Sequence, residues 1–166
     1  TASTIKILTA RVVLDRIEEG KNSKDEIVTV SAKASKMGGS QVYLKEKEQF
    51  TIMELLEALM VQSANDAAVA LAEHIAGSEE RFAKLMSETA RKLGVESSNI
   101  ISPHGLPPSD NSVPDMISPL GFFTISKHLI EKHPLAIELS SIKERPFRGG
   151  KFIMRNHNDV QRSFPE

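Results

Sequence analysis

A helix apolar nearly all round has to be surrounded, and the segment from about Ser3 to Glu18 predicts such a helix. Ile7, Leu8, Val12, Val13, Leu14 and Ile17 are spread around it rather than along one stripe, the pattern of an element set inside a core. Gly20 ends it. A second run, Asp66 to Ala76, is Ala-rich, nearly uncharged and closed by Gly77, so it predicts a second buried helix. Two buried helices need a shell, and 166 residues with 40% hydrophobic content are enough to build one in a single domain over residues 1–166.

The rest of the chain reads as that shell. Ile27 to Ser31 and Gln41 to Leu44 predict short strands separated by a turn at Gly38 and Gly39, and the charged run Lys45 to Glu48 a solvated turn. Thr51 followed by Glu54 is a capping box, opening a helix that carries Ile52, Leu55, Leu56 and Leu59 to about Gln62. Ser78 caps another, with Glu79 and Glu80 where the helix dipole favours acids, and its stripe of Phe82, Leu85, Met86, Ala90 and Leu93 runs to Gly94. A Pro-rich loop follows, then a helix from Ser118 and Pro119 to His133 and Pro134. Ile142 to Asn156 reads as a hairpin around Gly149 and Gly150. The fold class is α+β, predominantly helical.

Composition removes whole classes of function. A net charge of -1, from 21 basic and 22 acidic residues, provides no basic stripe for nucleic acid or an anionic membrane surface. Without cysteine there is no thiolate metal site and no disulfide. No apolar run approaches the twenty residues that a spanning helix needs.

Ser3 and Lys6 stand three apart at the start of the first buried helix, and positions three apart share a helix face. A lysine stripped of water loses its proton more readily and can then accept one from a serine hydroxyl, which is the arrangement an acyl-transfer nucleophile requires. The other reading is a capping serine with a solvated lysine. S-x-x-K alone does not choose between them, since Ser140 and Lys143 repeat the pattern in "SSIKE". A second element is Ser63-Ala64-Asn65, in the break between two apolar helices, where side chains can project into a cleft. S-x-N also recurs, at Ser97 and as a literal S-D-N at Ser109, but in a polar link and a Pro-rich loop that hold nothing between buried elements.

Taken together, "TASTIKILTA", "MGGSQVYLK", "LMVQSANDAAVALAEHIAGS" and "SPHGLP", in this order and at these intervals, resemble the serine D-alanyl-D-alanine carboxypeptidases, the low-molecular-mass penicillin-binding proteins of the peptidase S11 type. The resemblance extends to about Asn158. It implies Ser3 as acylated nucleophile, Lys6 as general base, Ser63 as proton relay to the leaving group and Asn65 as positioner of the substrate carbonyl, with Gly39 and Ser40 beside the cleft. It further implies the peptidoglycan stem peptide as partner, β-lactams as covalent inhibitors, no metal or organic cofactor, and a place at the extracytoplasmic face of a bacterial membrane. The family's K-T-G motif is absent: the nearest strings are "KMG" at Lys36 and "KLG" at Lys92. The expected fold is therefore β-lactamase/transpeptidase-like without the outer strands of its central sheet, with membrane association only through segments outside this chain. Impaired activity is expected as well, because that strand carries an oxyanion donor and the carboxylate clamp. The alternatives are a class A β-lactamase-like enzyme and a non-catalytic remnant that binds cell-wall peptide or protein.

Other residues read more plainly. His104, in the "PHGLP" loop, is a structural turn residue. His128 and His133, five apart, do not share a helix face and make no metal pair. Gly38 and Gly39 form a tight turn, and Arg145 and Arg148 are solvated charges.

Overall fold

The structure, a computed structural model, describes residues 2–96 and 98–158. It opens with a 3₁₀ turn, Ala2–Ile5, that runs directly into α1, Lys6–Glu18. Helices α2 (Ile52–Val61), α3 (Asn65–Ala76), α4 (Glu79–Lys92) and α5 (Pro119–Lys132) all pack against α1, and Leu8, Ala10 and Val13 lie fully buried among them. The requirement that a helix apolar nearly all round be enclosed is thus met by four neighbours. α3 is the other interior helix, with Ala67, Ala68, Val69 and Leu71 inaccessible to solvent. The buried apolar side chains form one cluster. Leu8→Ala and Leu71→Ala are each expected to cost about 2–5 kcal/mol in urea unfolding. Leu120→Ala, at a position 73% exposed, is expected to stay within about 0.5 kcal/mol.

The helix boundaries follow local chemistry. Thr51 caps α2 in a complete capping box with Glu54, Ser78 caps α4 through the Arg81 N–H, and Ser118 caps α5 through the Gly121 N–H with Pro119 behind it. Gly77 closes α3 at φ 79°, in the left-handed region that costs glycine least. One stop signal was also a start. Pro134, after which no helix is expected, begins a further helix, α6 (Pro134–Ser141), because proline's fixed φ and missing N–H suit the first position of a helix as well as they end one.

Strands are few: three two-stranded antiparallel ladders among the described residues. β1 (Ile27–Thr29) pairs with β2 (Gln49–Thr51), β3 (Ser98–Asn99) with β4 (Met116–Ile117), and β5 (Glu144–Phe147) with β6 (Phe152–Arg155). Two differences from expectation are physical. Gln41–Leu44 is not a strand, because the Val42 and Leu44 N–H groups donate to the buried Asp66 carboxylate instead of to a neighbouring strand. Arg145 is exposed as expected, though paired, whereas Arg148 is not solvated. Arg145 forms two hydrogen bonds with Glu57, while Arg148 donates to the Val42 and Tyr43 carbonyls and pairs with Glu48. Arg148 also lies over Phe50 and Phe147, which stack with centroids 5.0 Å apart. The β5–β6 hairpin is thereby fastened across the 42–48 segment. No helix among the described residues is long and apolar enough to cross a membrane.

Candidate active site

Ser3 does not sit in the first α-helical turn, as the spacing predicts, but in the 3₁₀ turn before it. The difference favours the pair, since three residues per turn eclipses positions i and i+3. Ser3 is exposed, Lys6 is only 4% exposed, and Lys6 Nζ donates to Ser3 Oγ at 3.1 Å. Burial brings the Lys6 amine down to about 8 from its ordinary value near 10.5, so that roughly a tenth of it is neutral at pH 7. Lys6 is therefore not the solvated partner of a cap.

The second contact of Lys6 Nζ is the backbone carbonyl of His104, also at 3.1 Å. The loop that carries it lies over α1, where the Thr9 hydroxyl donates to the Pro103 carbonyl at 2.7 Å. Asp115, buried, accepts from the Ile101 and Ser102 N–H groups and the Ser102 hydroxyl. His104 thus serves the site through its backbone, while its ring lies against Glu79.

Ser63 joins α2 to α3 in a left-handed conformation, φ 56°. It shares with Ser3 and Lys6 the wall of a cavity of about 250 Å³ that Leu59, Met60 and Ser140 also line. The Ser63 hydroxyl makes no hydrogen bond to Ser3 or Lys6 among the described contacts, so the two serines face one space rather than each other. Asn65 starts α3. Its Nδ2 donates to the Gly38 carbonyl and its N–H to the Ser40 carbonyl, both at 2.7 Å. The buried Oδ1 has no partner among the described atoms. Gly39, at φ 74°, lets the loop come so close that a Cβ there would lie 2.8 Å from Asn65 Nδ2. The 38–40 loop is the seat of Asn65. Gly39→Ala is expected to lose about 1–2 kcal/mol from the backbone conformation alone, read as a lower urea midpoint; an unchanged midpoint would deny this seating.

The recurring motifs resolve by environment. Ser140 reaches the cavity wall, but its hydroxyl donates to the Ile137 carbonyl and Lys143 is exposed. Ser109 is in an exposed loop, and Ser97 lies outside the described residues. His128 is exposed, whereas His133 is buried against Asp15 at 2.8 Å. Asp15, Glu18 and His133 place donor atoms within 4.8 Å of one another, but Arg11 and Lys132 already occupy the Asp15 carboxylate. Glu79 was visible only as a first-turn acid, and the spacing arguments missed Thr9, Asp66 and Asp115. Of these only Asp66, an acid at the head of an otherwise apolar run, carried a visible signal.

A serine in a turn at the head of a buried helix, paired with a desolvated lysine and flanked by an S-x-N break, is the arrangement expected from the resemblance to the penicillin-binding proteins, and solved structures agree in fold. Penicillin-binding protein 6B from Escherichia coli superposes with a TM-score of 0.87 at 30% identity over 96% of this chain and 50% of its own. PBP3 from Streptococcus pneumoniae, a peptidoglycan synthesis regulatory factor, gives 0.88 at 27% identity over 96% and 47%. The chain matches the D-alanyl-D-alanine carboxypeptidase family, peptidase S11, over residues 1–164, and it belongs to that family. The carboxypeptidase DacF of Bacillus subtilis is 40% identical over 105 residues, 63% of this chain and 27% of that protein. DacC of Escherichia coli is 33% identical over 165 residues, 95% and 39%. The chain therefore spans well under half the length of these relatives.

Proposed function

We propose that the chain carries the acylating centre of a serine D-alanyl-D-alanine carboxypeptidase, which removes the terminal D-alanine of peptidoglycan stem peptides. The observation that carries this reading is the 3.1 Å contact between Ser3 Oγ and the buried Lys6 Nζ. Neutral Lys6 takes the hydroxyl proton as Ser3 Oγ attacks the carbonyl of the D-Ala-D-Ala amide. The tetrahedral intermediate collapses with breakage of the C–N bond, and the departing D-alanine amine receives its proton through the Ser63 hydroxyl across the shared cavity. Water then hydrolyses the Ser3 ester. The site works at the extracytoplasmic face of the membrane, where such peptides lie. Penicillin-binding protein D2 from Listeria monocytogenes, 27% identical with a TM-score of 0.85, is known in an ampicillin-bound form, which supports β-lactams as covalent ligands here. The test is a fluorescent penicillin with mass-spectrometric location of the adduct. Label on Ser3 supports the reading, and label on Ser63 or Ser140 instead overturns it.

A further inference from the structure

Lys6 is held from two sides, by Ser3 and by the His104 carbonyl, and the second side is itself built on a buried polar chain. His104 Nδ1 accepts the Leu106 N–H at 3.0 Å, which places the ring proton on Nε2, facing Glu79 Oε2 at 3.1 Å. Glu79 is only 7% exposed, at the first position of α4, where the helix dipole favours its charge. Its other oxygen takes Lys33 Nζ at 2.7 Å. Burial opposes the charge on Glu79, yet the bonds from His104 and Lys33 hold its carboxyl below the ordinary range. The charged groups around His104 are thus Glu79 from α4, with Lys33 and Glu80 behind it, and Lys6 from α1.

We propose that Glu79 and His104 are positioning residues for the base: the Glu79–His104 contact fixes the 102–106 turn so that the His104 carbonyl stays on Lys6 Nζ. This rests on the acyl-transfer reading of Ser3 and Lys6, and it adds a second consequence. A carbonyl oxygen stabilises an ammonium more than an amine. The turn therefore sets the pH at which Lys6 becomes a base as well as the direction in which it points. Loosening the turn withdraws a stabiliser of the charged form and also admits water to an amine whose low titration point comes from burial, so the Lys6 titration moves. A role confined to packing would lower stability or rate without moving the titration.

The experiment uses the full chain with 13C,15N-labelled lysine, and follows the Lys6 side-chain signal by NMR from pH 6 to 10, assigned by its loss in Lys6→Met. Glu79→Ala and, independently, His104→Ala are expected to move the Lys6 midpoint by about half a pH unit or more. Glu79→Gln, which keeps an acceptor for His104 Nε2–H, is expected to restore most of it. Where the penicillin acylation rate is measured, its acid limb should move with the midpoint, and its plateau should fall about tenfold in the alanine variants as the amine loses its tether. Should Glu79→Ala not fold, His104→Ala and Glu79→Gln decide. A Lys6 midpoint unmoved in folded Glu79→Ala or His104→Ala protein overturns the proposal. Protein that never acylates even when joined to a K-T-G strand overturns the acyl-transfer reading instead, and the titration still decides whether Glu79 positions Lys6.

Discussion

Ser3→Ala, in the chain joined to a K-T-G strand, is expected to reduce covalent labelling by a fluorescent penicillin to background, the largest single effect any substitution in this chain should produce. The strained β-lactam amide is opened only by a nucleophile, and Ser3 is the hydroxyl within hydrogen-bond reach of the desolvated amine. The exposed Ser3 side chain contributes little to packing, so the variant should melt within about 0.5 kcal/mol of the parent. That separates lost chemistry from lost structure. Undiminished label in a folded Ser3→Ala protein would falsify the nucleophile assignment. The isolated chain carries no K-T-G sequence, so weak or no label is expected of it, and stronger label when it is joined to a K-T-G strand. Mass spectrometry of the adduct peptide reads both.

Lys6→Ala should leave the nucleophile in place and remove its base, lowering the acylation rate by about 10²–10⁴. The accompanying sign is in the pH profile. Only neutral Lys6 accepts a proton, and its amine is brought down to about 8 by burial. The wild-type rate should therefore climb as pH rises from 6 and level off above that value. In Lys6→Ala the climb should vanish along with most of the rate, and Lys6→Arg, always protonated, should behave the same way. A residual rate that still rises through pH 8 in both variants would assign the base elsewhere. Burial has an opposite effect on stability. A lysine whose folded titration point is depressed stabilises the fold less while charged than while neutral, so the penalty eases as pH rises through about 8. Lys6→Met should accordingly be more stable than the parent below that pH.

Much of this was local, and local features were legible. Thr51 with Glu54, Ser78, Ser118 with Pro119, and Gly77 set helix ends within a turn of chain, and the apolar circumference of α1 required enclosure whatever the neighbours were. Ser3 and Lys6 were legible as a pair because three residues separate them on any helix. Illegible features depended on partners far along the chain. A run such as Gln41–Leu44 offers its N–H groups equally to a neighbouring strand or to the Asp66 carboxylate, and nothing in it announces that Tyr43 turns left-handed at φ 58°. Glu79 looked like a first-turn acid placed for the dipole, which it is. Its contact with His104, 25 residues on, exists only once α4 and the 102–106 turn lie against α1. Arg148 read as solvated for the same reason, since its acceptors are carbonyls about a hundred positions earlier.

Ser63 stands at φ 56°, a conformation that glycine adopts more cheaply by about 1 kcal/mol. Ser63→Gly is therefore expected to raise the melting temperature while deleting the hydroxyl. If a library of this chain were selected for heat resistance alone, glycine should accumulate at position 63 and the proposed proton route to the leaving group would be among the first things lost. Heat tolerance and turnover should pull this joint in opposite directions, and a survey of heat-selected survivors would show which of the two had been kept.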